Sequence, residues 1–316
     1  MDDPSEPESA PGPVPAGPRA DAPFEGPTPG GPAPAGPEPV TPRRSAMAVR
    51  LIAVAVTLVL AGVIAFVVVV LAGPPSVEEL RTRAGLDDRR ELLIGVKDDQ
   101  PGVAEYDEGR KIWAGFDIDI AYMIAEDLGF RPSEVRFLSI ESEDRARMQA
   151  TDGDGRRATV DLVIASYSIT PTREAVAGVT FSAPYLYTEQ SVLTRKGHPK
   201  VSALDDLKDR EVCTLSASTS QTAPKDAGAI VRRKNRMSEC ITDLRAGRVD
   251  AVSTDAAILA GFKARSPDEF EHWDLGLDNT EAWGINVGEN QALKTLVNLT
   301  LYRSLKDPAD DRWEVA

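Results

Sequence analysis

Histidine and cysteine are scarce in this chain, with two of each: His198, His272, Cys213 and Cys240. They show no metal-ligand spacing, so a zinc site is not expected. The chain has no Gly-rich phosphate loop, no Gly-x-Ser-x-Gly elbow and no His-x-x-x-His pair. Their absence removes the usual signatures of nucleotide, acyl-transfer and metalloprotease chemistry. An excess of basic residues is also missing. There are 36 Lys and Arg against 50 Asp and Glu, a formal net charge of −14, and nucleic-acid binding needs a basic footprint. Net charge says little about small ligands. These absences favour binding over chemistry, and no enzyme, metal or cofactor is expected.

Residues 1–45 hold 14 of the 24 prolines and 6 of the 24 glycines, with almost no large apolar side chains. Such a segment cannot bury enough apolar surface to offset its chain entropy, so a disordered tail is expected. Leu51 to Ala72 then runs 22 residues without a charge. As a helix it reaches about 33 Å, enough to cross a bilayer core. The span is placed at residues 46–73. A secretory signal is shorter and sits nearer the amino terminus. Val70-Leu71-Ala72 also reads as a weak cleavage site, so cleavage stays open. No cysteine follows the run, so a lipoprotein anchor is not expected. Arg43, Arg44 and Arg50 precede the span, while Gly73 to Leu80 carries no Lys or Arg. The positive-inside rule then puts the tail in the cytoplasm and the large carboxyl-terminal part outside.

Residues 74–90 read as a polar stalk with a helical turn or two from Val77 to Arg83. The globular part starts near Glu91, and roughly 225 residues suffice for two lobes. Strands are expected at Glu91–Lys97, Val135–Ile140, Val160–Ala165, Val192–Arg195, from Glu211 to Leu215, at Ala251–Ser253 and at Trp283–Val287. Helices are expected from Gly115 to Leu128 with Gly129 as the stop, and at Asp144–Ala150, Leu204–Leu207, Ser238–Ala246 and Leu293–Leu305. Alternating strands and helices give an α/β fold with mostly parallel sheets. The stretch Val160–Arg173 is the most telling. A buried strand ends in Ser166, Ser168 and Thr170, and Arg173 follows. Donors at the carboxyl end of a strand sit where open α/β sheets bind ligands, and Arg offers a fork for a carboxylate. Read alone, the same residues also fit a turn with a surface arginine.

Six motifs then fall in register: G-V-K-D-D-Q-P-G (95–102), G-F-D-I-D (115–119), S-I-T-P-T-R (168–173), F-S-A-P-Y (181–185), A-G-R-V-D-A-V-S-T-D-A-A-I-L-A-G (246–261) and W-G-I-N-V (283–287). Together they resemble the extracytoplasmic solute-binding proteins, family 3, of polar amino-acid ABC transporters. The glutamate/glutamine-type binders look nearest, over about residues 91–313. The resemblance implies a two-lobe periplasmic-binding-protein-like clamp with two hinge strands, lobe 1 at 91–193 and 283–316 and lobe 2 at 194–282. It implies that Arg173 grips an α-carboxylate, with the Ser168 hydroxyl and backbone N–H beside it, and that the Ser166 carbonyl accepts from an α-ammonium.

From the other lobe, S-A-S-T-S (216–220) resembles the family's Gly-Ser-Thr-Ser turn, with Ala217 in place of glycine. Ser218 and the Thr219 N–H would add donors at a helix start, and Asp255 would pair with the ammonium. Read alone, Asp255 also fits a helix N-cap. Side-chain specificity would fall to Lys97, Ser142 and Arg145, in a pocket poor in aromatics that suits glutamate or aspartate ahead of glutamine. Lys97 alone also fits a solvated strand end. Cys213 and Cys240 match a cysteine pair of the glutamate-type relatives, and in an exported domain they most simply form one disulfide. The implied partners are an amino acid and an ABC permease with its ATPase, and a monomer is expected. Two alternatives are an amino-acid sensor signalling to a partner and a dehydratase-like enzyme on the same fold.

Overall fold

The computed structural model describes residues 43–276 and 280–316. Most of the expected tail, residues 1–42, lies outside the described residues. Helix α1 (Arg43–Ala72) contains the apolar run Met47–Leu71, 25 residues of mean hydropathy 3.1 with none of it buried. By length and composition it can cross a membrane. It forms a unit of its own, separate from residues 72–316.

Helix α2 (Val77–Arg83) starts at Ser76, whose hydroxyl accepts from the Glu79 N–H. The polar stalk expected over residues 74–90 is corrected here. Leu80 and Leu86 are buried in the main core, and Asn290 Nδ2 donates to the Ala84 carbonyl. Two leucines among charged residues suffice to dock a helix of seven residues.

The first lobe is built on β1 (Leu92–Val96), an almost fully apolar strand covered on both faces. A three-stranded sheet follows: β2 (Asp99–Gln100), β3 (Ala104–Asp107) and β4 (Ile112–Ala114). Helix α3 (Phe116–Asp127) buries Ile118, Ile120, Met123 and Ile124 along one side. Strand β5 (Val135–Ser139) pairs parallel to β1, as does β8 (Leu162–Val163). Between them runs the hairpin β6 (Gln149–Thr151) and β7 (Arg157–Thr159), and the sheet order is β7-β6-β5-β1-β8.

The helix expected at Asp144–Ala150 is absent. That segment is a run of turns ending in β6, with Met148 in left-handed backbone (φ 52°). A non-glycine residue in that region stops an α-helix. The Arg145 side chain folds inward to backbone carbonyls there.

After the short helix α4 (Pro171–Glu174), strand β9 (Leu186–Arg195) crosses to the second lobe. Its amino-terminal half pairs with β14, and from Gln190 onward it pairs with β12 and β13. The lobe change therefore lies inside this strand, ahead of the expected boundary at 193/194. The second sheet contains β10 (Glu211–Leu215), β11 (Ile230–Lys234), β12 (Ala251–Asp255) and β13 (Phe270–Trp273), in the order β11-β10-β12-β9-β13. Strands β10, β11 and β12 run parallel. Helices α5 (Thr222–Asp226), α6 (Met237–Arg245) and α7 (Ala256–Arg265) connect them.

Strand β14 (Thr280–Trp283) returns beside β9. The expected strand Trp283–Val287 stops at Trp283 and continues only as a bridge from Asn286 to Val163 and Phe181. Helix α8 (Gln291–Lys306) packs on α2 and α3, and α9 (Arg312–Val315) follows.

Cys213 on β10 and Cys240 on α6 form a disulfide with Cα atoms 5.5 Å apart, both fully buried. It closes a sequence separation of 27 residues inside the second lobe. Replacing both cysteines by serine is expected to cost roughly 3–4 kcal/mol, chiefly by freeing the unfolded chain. Denaturant unfolding of wild type and double variant checks this, and a midpoint that does not move contradicts it.

Candidate functional site

The parallel strands of both sheets deliver their carboxyl ends to one cleft, the position at which open α/β sheets bind ligands. Lys97 follows β1, Ser166 to Ser168 follow β8, Ser216 to Thr219 follow β10, and Asp255 closes β12. The cavity between them is lined by Gln100, Arg145, Ser166, Ser168, Arg173, Ser218 and Asp255. It measures about 10 Å³, the room of about one water, so the two lobes are drawn close over it. A larger groove of about 710 Å³ lies between α3 and α9. Its arginines are already paired, Arg131 with Glu134 and Arg312 with Glu126, Asp127 and Asp310. It therefore lacks the convergent free polar groups of a ligand site.

Arginine dominates the small cavity. Arg145 is only 4% exposed. Its Nε donates to the Ser142 carbonyl at 3.2 Å, and its Nη1 to the carbonyls of Ala165 at 3.1 Å and Ser166 at 2.9 Å. Its Nη2 reaches across the cleft to the Ala217 carbonyl at 3.4 Å. Arg173 donates to the Ser168 carbonyl at 2.8 Å and likewise crosses to the Ala217 carbonyl at 2.9 Å. Both guanidinium groups lie over the Tyr167 ring, at 4.5 and 4.8 Å from its centroid. Burial, and then the charge of Arg173, push the Arg145 pKa down to about 9, and burial lowers Arg173 as well.

Two non-glycine residues adopt left-handed backbone here: Ser166 (φ 47°) and Ala217 (φ 53°). Each costs about 1–3 kcal/mol, a strain that persists where surrounding contacts fix it. It aims both carbonyls at the guanidinium groups. Ala217 thus keeps the backbone geometry that a glycine would adopt without strain.

Asp255 stands at the start of α7 but makes no cap bond with its side chain. Its carboxylate instead accepts from Trp283 Nε1 at 2.5 Å and from the Ser220 hydroxyl at 3.3 Å. Burial and the nearby Glu281 charge raise its pKa to about 6, against those two hydrogen bonds. Gln190 holds this corner by donating to the Ser220 carbonyl and the Ser253 hydroxyl. Lys97 is 3% exposed. Burial first, and then the Arg145 charge, push its pKa down to about 8, while Asp99, Glu141 and Asp98 oppose the shift. Among the described residues, Lys97, Arg145, Arg173 and Asp255 form no direct ion pair.

The expected residues take different places. Arg173, Ser168, Ser166, Ser218, Asp255 and Arg145 meet at the cavity. Thr219 brings its hydroxyl to 3.5 Å from that of Ser168. Thr170 caps α4 by accepting from the Arg173 N–H. The expected helix start after Ser218 is a 3-10 turn, Thr219–Gln221, that runs directly into α5 (Thr222–Asp226). Lys97 and Ser142 are buried but do not line the cavity, and the Ser142 hydroxyl has no partner among the described residues.

Four residues went unnoticed in the sequence. Gln100 lines the cavity, and its Oε1 accepts from the Ser166 hydroxyl at 2.8 Å. Asp117, fully buried in G-F-D-I-D, accepts from the Ser166 N–H at 3.1 Å and from the Tyr185 hydroxyl at 2.9 Å. Its pKa rises to about 7 through burial. Tyr167 and Trp283 complete the set. The usable signal was an acidic residue inside an otherwise apolar helix face, and a tyrosine between two serines at a strand end.

The profile of the bacterial extracellular solute-binding proteins, family 3, matches residues 92–307. The glutamate-binding protein GluB of Corynebacterium efficiens is 30% identical over 70% of this chain and 76% of its own. The glutamine-binding protein GlnH of Bacillus subtilis is 32% identical over 72% and 80%. An ancestral arginine-binding protein solved with glutamine superposes with TM-score 0.61 at 30% identity, over 72% of this chain and 96% of its own. With two lobes, a cleft at the strand ends and this match over most of its length, the chain belongs to the bacterial extracellular solute-binding proteins, family 3.

Proposed function

We propose that this protein is a membrane-tethered clamp for an acidic amino acid, glutamate or aspartate, held outside the cell and delivered to an ABC permease and its ATPase. The observation that carries the reading is the charge of the cleft. Arg145 and Arg173 bring two cations to the cavity and Asp255 one carboxylate, while Lys97 is buried at the end of β1; none of the three cations pairs with a carboxylate among the described residues. An acidic amino acid supplies two carboxylates and one ammonium, the complementary set. Arg173 with Ser168 and Ser218 takes the α-carboxylate, and Asp255 takes the ammonium. Arg145 and Lys97 take the second carboxylate. Such matching matters because an unpaired charge excluded from water costs several kcal/mol. Two related proteins named for glutamate and glutamine binding support the same class. The apolar helix supports the tether, and its orientation is supported by Arg43, Arg44 and Arg50 lying at its amino-terminal end while the first arginines on the other side, Arg81 and Arg83, come only after Gly73–Leu80.

Calorimetric titration tests the reading. Glutamate or aspartate is expected to bind at least about tenfold more tightly than glutamine, because an amide turns an N–H donor toward groups that are themselves donors. Tighter binding of a basic or bulky apolar amino acid contradicts it. Arg173→Ala is expected to weaken binding roughly 100-fold, the usual loss when a buried charge pair is cut, and unchanged affinity contradicts the role.

Affinity should also depend on pH in a defined direction. A ligand carboxylate beside Lys97 raises that residue's pKa above the free value of about 8. Binding then takes up a proton above that pH, so glutamate affinity is level between about 6, below which Asp255 protonates, and about 8, and falls as pH rises through 8 by up to about tenfold per unit. Lys97→Met is expected to remove this limb and leave only the later one from the ligand's own ammonium. A wild-type profile that stays flat through pH 8 to 9 contradicts the placement of Lys97.

A further inference from the structure

Gln100 enters the cavity from a turn that the second lobe holds on three sides. The residue is 1% exposed, and its Nε2 has no partner among the described residues. Just before it, Asp98 is fixed within the first lobe by the Ser139 hydroxyl at 2.8 Å. Across the cleft, Arg236 grips the same carboxylate with two bonds, at 2.6 and 3.1 Å. Asp99 accepts from the Ser238 N–H at 2.8 Å. That N–H is one of the free donors in the first turn of α6, so the first lobe caps a helix of the second. On the far side of the turn, Arg265 of α7 pairs with Glu105 on β3 at 2.6 Å.

Pro101 of the turn also lies tight against Gly261 of the second lobe. Gly261 lies inside α7, where glycine is a poor helix former compared with alanine. A Cβ built at Gly261 would fall 1.7 Å from the Pro101 carbonyl oxygen and 2.8 Å from its carbonyl carbon. Both atoms are backbone, so no side-chain rotation relieves the clash. A side chain at 261 can be accommodated only if the lobes separate or the turn moves.

We propose that Gly261 is a positioning residue of the ligand site: its bare helix face is the seat on which the Asp98–Gly102 turn settles, and that seat aims Gln100 at the ligand. Its nearest neighbours across the cleft are Pro101 and Gly102 of this turn. The inference rests on the reading of the cleft as an amino-acid clamp. Arg236 and Asp99 fix the turn laterally, and Gly261 sets how far the lobes close.

The test uses the full-length chain in detergent, as wild type, Gly261→Ala and Arg236→Ala, with glutamate as the probe. Calorimetry and stopped-flow dissociation give affinity and off-rate. Spin labels at Arg110→Cys on the first lobe and Lys225→Cys on the second give the distance between lobes. In Gly261→Ala the closed population falls, and apparent affinity falls with it in proportion. The expected loss is about tenfold, mostly as faster dissociation, together with a longer distance between labels. The thermal midpoint without ligand should hold or rise, because alanine favours the helix, and this separates the effect from a folding defect. Arg236→Ala should weaken binding in the same direction and reduce its dependence on salt. Unchanged affinity or an unchanged distance in Gly261→Ala overturns the assignment. If wild type binds none of glutamate, aspartate and glutamine, the amino-acid reading fails instead. The distance alone then decides whether Gly261 is the seat.

Discussion

Two guanidinium groups held side by side over one tyrosine ring are the constraint on which the cleft depends. Arg145, which is buried, and Arg173, which is half-buried, repel each other, yet neither pairs with a carboxylate among the described residues. Backbone carbonyls hold them in place: those of Ser142, Ala165, Ser166 and Ser168 from one lobe and that of Ala217 from the other. Carbonyl dipoles orient such cations without neutralising them, so the site keeps a positive charge for an anion to complete. The left-handed backbone at Ser166 and Ala217 is what aims two of those carbonyls. Asp117 and Tyr185 hold the Ser166 side of this arrangement from below.

The fold supplies what the charge needs. Parallel strands place Lys97, Ser166, Ser168, Ser218 and Asp255 at their carboxyl ends, and β9 and β14 join the two lobes while leaving each sheet whole. Trp283 links frame and site, since it ends one crossing strand and donates to Asp255. The disulfide lies in the second lobe between β10 and α6, and the turn that carries Ser218 follows β10 directly.

Much of this could be read from the sequence because it is local. The apolar runs Leu92–Val96 and Ala251–Val252 and the helical spacing in α3 carry the α/β pattern, the stretch after Val163 carries Ser166, Ser168 and Arg173, and the resemblance to the family adds Arg145, Ser218 and Asp255. What the sequence did not yield depends on long-range packing. Asp144–Ala150 has the composition of a helix, but Arg145 is drawn inward to carbonyls twenty residues away and Met148 turns left-handed. Residues 74–90 look polar, yet Leu80 and Leu86 find a core that only the folded α8 provides. Gln100 reads as a loop amide, and nothing local shows that its turn rests on a glycine 161 positions later. Asp117 reads as a motif letter until Ser166 arrives above it.

The central claim is that an acidic amino acid completes the charge of this cleft. A crystal structure of the chain grown with glutamate tests it most directly. The account predicts the ligand's two carboxylates at opposite ends, one within about 3 Å of Arg173 and the other within about 3 Å of Arg145 or Lys97, with the ammonium on Asp255. A ligand whose side-chain carboxylate points away from Arg145 and Lys97 into solvent, or whose ammonium lies away from Asp255, would contradict it.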